Sequence, residues 1–158
     1  MAKILVVYYS RTGLTRTIGQ AIAERLGADT EEIIDCADRK GFAGFLRAGK
    51  EAFDKIPAQI NSPHKDPASY DLVIIGTPVW AFTMSCAVRA YIEVNKSRCK
   101  ARAFFCTTGG CSGEKTLREM AGLAGASALA ELVLTSREVA TGTFNGKVDS
   151  FVKALSRL

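Results

Sequence analysis

The sequence predicts an α/β fold: a doubly wound, five-stranded parallel sheet with helices on both faces. Three observations carry that expectation. Short, nearly all-apolar runs alternate five times with longer stretches of helical period, the pattern of strands joined by helical crossovers. The runs do not alternate apolar with polar residues, so they read as strands covered on both faces. The chain has 158 residues with no internal repeat and no dividing linker, which suits one domain spanning residues 1–158. Parallel crossovers are right-handed, so an open doubly wound sheet is expected.

The elements follow in order. Residues 3–9 (KILVVYY) are apolar and rich in β-branched and aromatic side chains, a first buried strand. Leu14, Ile18, Ala21, Ile22 and Leu26 then recur at helical spacing, and Gly27 stops that helix. A weaker second strand is expected at 31–35. Phe42, Phe45, Leu46 and Phe53 mark a helix closed before Pro57; whether these rings face the core or a partner stays open. A polar connection through Pro63, His64 and Pro67 leads to a third strand at 71–76 (DLVIIG). Met84, Ala87, Val88, Tyr91 and Ile92 give the next amphipathic face. Residues 101–107 (ARAFFCT) form the fourth strand, 114–123 the fourth helix and 129–135 the fifth strand. Val148, Phe151, Val152 and Leu155 face inward on a closing helix.

Composition narrows the function. At 47% hydrophobic residues the chain is too apolar to be disordered. No apolar run approaches the ~20 residues of a membrane helix, and the run at 4–9 is short for a signal-peptide core. The five cysteines are odd in number and show no CxxC spacing. They read as reduced thiols, so a cytoplasmic, soluble protein is expected, with no membrane partner. The net charge of +5 is dispersed; the one basic run, Lys96 to Arg102, has no interleaved aromatics to stack bases, so no nucleic-acid partner is expected. The basic balance favours an acidic partner or an anionic ligand.

In doubly wound sheets ligands bind beyond the carboxyl ends of the strands, where the strand order reverses. Three loops lie there. The first, Ser10-Arg11-Thr12-Gly13-Leu14-Thr15-Arg16-Thr17, offers four hydroxyls, a glycine and the start of a helix. Free amides and the positive helix end favour an anion by ~0.3–1 kcal/mol, and a helix cap alone would explain one hydroxyl, not four. The second loop, Gly76 to Thr83, holds Thr77, Pro78, Val79, Trp80, Ala81 and Phe82. Its tryptophan, the one such residue of the chain, stands where a flat ring can cover a planar ligand. The third, Thr107-Thr108-Gly109-Gly110-Cys111-Ser112-Gly113, frees the backbone to approach a heterocycle rim. Cys111 reads as a small loop residue, with a reactive thiol as the alternative.

Together the loops make a phosphate cradle, an aromatic plate and a glycine-lined edge on strands adjacent in the order 2-1-3-4-5. Here the residues resemble the flavodoxin family, whose phosphate loop reads Ser/Thr-x-Thr-Gly-x-Thr; Ser10-Arg11-Thr12-Gly13-Leu14-Thr15 matches every defined position. The resemblance spans essentially the whole chain and is closest to the short-chain type. It implies non-covalent FMN, with Ser10, Arg11, Thr12, Gly13, Leu14 and Thr15 at the phosphate and Trp80 on the flavin. Residues 77–82 and 107–113 would contact the ring edge and ribityl chain.

Three departures matter. Flavodoxins are typically acidic and this chain is basic, which implies docking unlike theirs. The third loop lacks the aromatic that commonly covers the other flavin face. No Asp or Glu lies in 76–83 or 107–113, and Arg11 sits in the phosphate loop. Negative charge disfavours the anionic, fully reduced flavin, so the second reduction step is expected at a higher potential than in acidic flavodoxins.

Other readings fall. A receiver domain needs carboxylates where this chain has Tyr9-Ser10 and Gly76-Thr77, and the GxxxxGK[ST], Cys-x5-Arg and GxSxG frames are absent. His64, the one histidine, lies in a polar, Pro-bounded stretch unsuited to a catalytic base. Two functions remain. One is an electron carrier between redox protein partners, a reductase and an acceptor. The other is an FMN enzyme taking hydride from NAD(P)H to reduce a quinone or similar acceptor.

Overall fold

The structure, a computed structural model, describes residues 1–156; the last two positions of the expected domain lie outside them. The chain runs β1 (Ile4–Tyr8), α1 (Leu14–Leu26), β2 (Asp29–Glu32), α2 (Gly41–Phe53), a 3-10 turn (Pro67–Ser69), β3 (Leu72–Trp80), β4 (Thr83–Met84), α3 (Cys86–Asn95), β5 (Arg102–Thr108), α4 (Gly113–Ala124), β6 (Glu131–Thr135), α5 (Ser136–Thr141) and α6 (Asn145–Leu155). The main sheet is parallel in the order β2-β1-β3-β5-β6, with β4 hairpinned onto β3. Leaving β4 aside, this is the expected order 2-1-3-4-5.

Period-two alternation sorts each strand between two cores. On β1, Leu5 and Val7 join Val73, Ile75, Phe104 and Cys106 under α3 and α4, where Val88, Tyr91, Leu117 and Met120 meet them. Val6 and Tyr8 point the other way, with Ile74, Phe105 and Leu134, onto Ile18 and Ile22 of α1 and Val148 and Phe151 of α6. Each aliphatic side chain so buried contributes ~1.5–3 kcal/mol. Both faces being dry explains why these strands lack surface-polar alternation.

Three elements differ from expectation. β2 is DTEE at 29–32, not 31–35. Its register follows β1, Leu5 opposite Asp29 through Tyr8 opposite Glu32. One more bond from the Ile33 amide to the Tyr8 carbonyl ends the pairing, because β1 turns away there. Asp35 instead bridges antiparallel to Ile60. The second loop is largely strand: β3 continues to Trp80 and reverses through Ala81 and Phe82, both at positive φ, into β4. The third difference is α2, whose buried residues are Gly44, Ala48 and Ala52. Its Phe42, Phe45, Leu46 and Phe53 are exposed.

Candidate functional site

The turn after β1 begins α1 with no side-chain cap, and Gly13 stands at φ 99°, a conformation glycine adopts freely. The Gly13 amide donates to Ser10 Oγ at 3.1 Å, closing the bend. The first-turn amides of the helix have no carbonyl ahead of them and face outward with its positive end. The four hydroxyls take different parts. Thr17 donates back to the Gly13 carbonyl, at 3.0 Å, and serves the helix. Ser10 closes the turn, and Thr12 is exposed.

Thr15 is buried and meets Thr107, at the end of β5, with 2.8 Å between hydroxyl oxygens. Such a pair consumes one of its two hydroxyl protons. Among the described residues neither hydroxyl has another partner, so one buried O–H donor remains. Both threonines line a cavity of about 260 Å³.

That cavity gathers the expected residues from all three loops. Arg11, Thr12, Leu14 and Thr15 come from the first; Pro78, Val79, Trp80 and Ala81 from the end of β3; Thr107 and Gly109 from the end of β5. The other eight expected site residues are not on its lining. Ser10 and Gly13 shape the bend behind it. Thr77 Oγ1 accepts from the Ser85 amide at 3.0 Å and donates to the Pro78 carbonyl at 2.8 Å, bracing the hairpin from within. Phe82 sits exposed at the hairpin tip. Thr108 accepts from the Gly110 amide at 3.3 Å and donates to the Cys111 carbonyl, holding the third loop's shape. Gly113 is buried at the start of α4, and Cys111 is exposed.

Trp80 is held from several sides. Its ring meets Tyr9 edge to face, with centroids 5.4 Å apart at 89°. The Arg39 guanidinium lies 5.6 Å from its centroid. Arg39 is buried, ion-paired to Asp35 and, at 2.8 Å, to Glu51. Burial, then the Asp35 carboxylate, push the Tyr9 hydroxyl up to about 12, so this neighbour stays a neutral phenol at physiological pH.

Residues outside the expected loops complete the lining: Phe45, Ala48 and Gly49 of α2, and Ser136. Counting apolar residues at helical spacing marks Phe45 but misses Ala48 and Gly49, because the face it marks is the exposed one. The signal was present in the small residues at 44, 48 and 52, spaced by four. Arg11 is the one charged side chain on the lining. Its Nε donates to the Arg39 carbonyl at 3.0 Å and a terminal nitrogen to the Gly41 carbonyl at 3.2 Å, so it ties the first loop to the start of α2.

A wider groove of about 620 Å³ lies on the other side of Arg11, lined by residues 9–12 and 32–41. It includes the carboxylates of Glu32, Asp35 and Asp38 and lacks Trp80, so it is a poor receptor for an anion with an aromatic body. The smaller cavity fits FMN's chemistry on three counts: outward amides and an unspent hydroxyl proton for a phosphate, an indole wall for a planar ring, and no carboxylate on the lining.

A parallel sheet with free helix-start amides after its first strand and an indole wall after its third has the architecture of the doubly wound α/β class, whose members bind nucleotides at this edge. The sequence profile of the family described as Flavodoxin matches residues 3–135. The chain belongs to the flavodoxin family. Among solved structures it is similar to a flavoprotein in complex with FMN from Lactobacillus acidophilus (20% identity, 90% of this chain and 99% of that one, TM-score 0.71). It is also similar to a putative flavoprotein from Bacteroides uniformis (22%, 90% and 97%, TM-score 0.73). A third similar structure is an oxidised flavodoxin from Bacillus cereus (17%, 99% and 99%, TM-score 0.60).

Proposed function

We propose that this chain binds FMN non-covalently and passes electrons between redox protein partners, a reductase and an acceptor. The observation that carries the reading is that one cavity receives both the Ser10–Thr15 turn and Trp80. Family membership and the fold shared with an FMN complex support it. FMN, when bound, supplies the electron chemistry, and the protein supplies orientation and field. The first-turn amides of α1 with Thr12, Thr15 and Thr107 would hold the phosphate. Trp80 would flank the ring, and the backbone at Pro78, Ala81 and Gly109 would border it.

The lining includes no His, Asp, Glu, Lys or Cys side chain. The protein therefore offers no proton-transfer group there, which suits a carrier. All five cysteines are free in the structure, in keeping with a cytoplasmic setting.

The test is a visible spectrum of the protein as isolated, followed by titration of apoprotein with FMN. A yellow protein, or quenching of added FMN fluorescence, is expected; colourless protein that leaves FMN fluorescence unchanged overturns the reading. NADH and NADPH are then supplied to the holoprotein with menadione. No oxidation is expected of a carrier, and sustained turnover would make the protein an NAD(P)H:acceptor oxidoreductase instead.

A further inference from the structure

We infer that α2 is part of the cofactor site: Phe45 contacts the flavin ring, and Gly49 is left bare to admit it. The inference rests on the FMN reading above. The three loops expected to hold the cofactor contribute one aromatic wall to the cavity, Trp80. The structure adds another ring from a different element, since Phe45 lines the same cavity.

Packing within the protein does not explain this face of α2. The helix seats itself on the body through Gly44, Ala48 and Ala52, all buried. Gly44 is required there, because a Cβ would stand 2.3 Å from the Arg39 backbone carbon. Gly49 has no such reason. A Cβ at 49 would meet nothing within 4 Å, yet glycine in a helix interior is markedly less favourable than alanine. Positions 45 and 49 are one turn apart and share a face, and both line the cavity. A bare helix backbone beside an exposed phenylalanine is a shelf for a flat ligand.

The shelf is also held in place. The Arg11 guanidinium lies 5.5 Å from the centre of the Phe45 ring, while its hydrogen bonds reach the Arg39 and Gly41 carbonyls just ahead of α2. Arg11 thus acts as a positioning residue that keeps α2 against the phosphate turn. α2 thus brings to the cavity an aromatic that none of the three loops supplies.

The two residues give opposite signatures of structural and ligand roles. Gly49→Ala should raise the melting temperature of the apoprotein by roughly 2–4 °C, because alanine is the better helix former, while weakening FMN. Gly49→Leu, also a good helix former, fills the shelf and should weaken FMN by roughly tenfold or more. Phe45→Ala should weaken FMN and riboflavin by the same factor, roughly tenfold, because the ring is common to both and the phosphate is not. Phe42→Ala, on the same helix but off the cavity, should leave binding unchanged.

Affinities come from quenching of flavin fluorescence, and melting is followed by circular dichroism on apoprotein. Wild-type binding of FMN with unaltered affinity in Phe45→Ala and Gly49→Leu would overturn the inference and leave the FMN reading standing. Failure of the wild type to bind FMN would overturn both. Loss confined to FMN, with riboflavin unaffected, would assign Phe45 to the phosphate turn and also overturn it.

Discussion

Replacing Thr107 by valine removes one hydroxyl from the Thr15–Thr107 pair while keeping the branched shape. Thr15 and Thr107 are 1% and 4% exposed, so little water reaches the surviving hydroxyl to replace a lost partner. The surviving hydroxyl is then buried unsatisfied, at a cost of ~1–3 kcal/mol. For a chain of this size 1 kcal/mol moves the melting temperature by about 2–4 °C. A central estimate for Thr107→Val is therefore ~2 kcal/mol, a drop of roughly 4–8 °C in the apoprotein. Thr15→Val should cost a similar amount. The double variant leaves no stranded hydroxyl and should recover most of the loss, a coupling of ~1–2 kcal/mol in the double-mutant cycle.

Ligand binding should behave otherwise. The pair leaves one proton free for the cavity. FMN affinity should therefore fall in the single variants, where the surviving hydroxyl loses its orienting partner, and fall furthest in the double, where no donor is left. Stability recovers while affinity does not. Thermal melts by circular dichroism and FMN fluorescence titrations read the two quantities separately. A double variant whose melting temperature falls by the sum of the single losses would show that the threonines are not each other's partners. Affinity that returned together with stability would show that the hydroxyls act only through the fold of the turn.

Trp80 is the one tryptophan of the chain, so its emission should be quenched in step with FMN binding; unchanged emission at saturating flavin would place the ring away from it. Lys147 first, and then the Thr135 amide, hold the Glu138 carboxyl down at about 2. Being below its unfolded value of ~4.3, this group stabilises the fold above that pH and ceases to do so as pH falls toward 2. After solvent screening the effect is on the order of 1 kcal/mol, and Glu138→Gln should flatten stability across that window, a result checked by urea titrations at stepped pH. Arg39→Met leaves Asp35 buried without its cation and should cost ~3–5 kcal/mol; a loss below about 1 kcal/mol in denaturant melts would contradict a buried pair. Arg11→Gln removes the cavity's one cation and should lower the potential of the second reduction step by on the order of 40 mV, the equivalent of ~1 kcal/mol per electron, as read by spectroelectrochemistry.

The sheet was legible because its strands are dry on both faces, which leaves an uninterrupted apolar run for each of β1, β3 and β5. The turn after β1 was legible because its features are local: hydroxyls, a glycine and a helix start within eight residues. β2 was misplaced by two residues because its sequence, DTEE, carries no burial signal; its position is set by pairing with β1. The hairpin that holds Trp80 was not legible either. Its two turn residues, Ala81 and Phe82, take positive φ without being glycine or asparagine, and β4 is two residues long. No turn chemistry of the usual kind announces it.

α2 shows a deeper reason why part of the site was missed. Periodicity reveals that a helix has two unlike faces, but not which one meets the body of the protein. Large apolar side chains are ordinarily the buried ones, and here the order is inverted. Glycine and alanine bring α2 close to the sheet end, where Arg39 is already buried with Asp35 and Glu51, and the bulky rings are left outside. The inversion has a consequence for Trp80, because Arg39 lies against its ring and pairs with Glu51 of α2. A larger side chain at 44 would push α2 away from the Arg39 backbone and draw Glu51 off the guanidinium that lies against the tryptophan. The small residues at 44, 48 and 52 thus reach Trp80 indirectly, by setting where Glu51 meets Arg39.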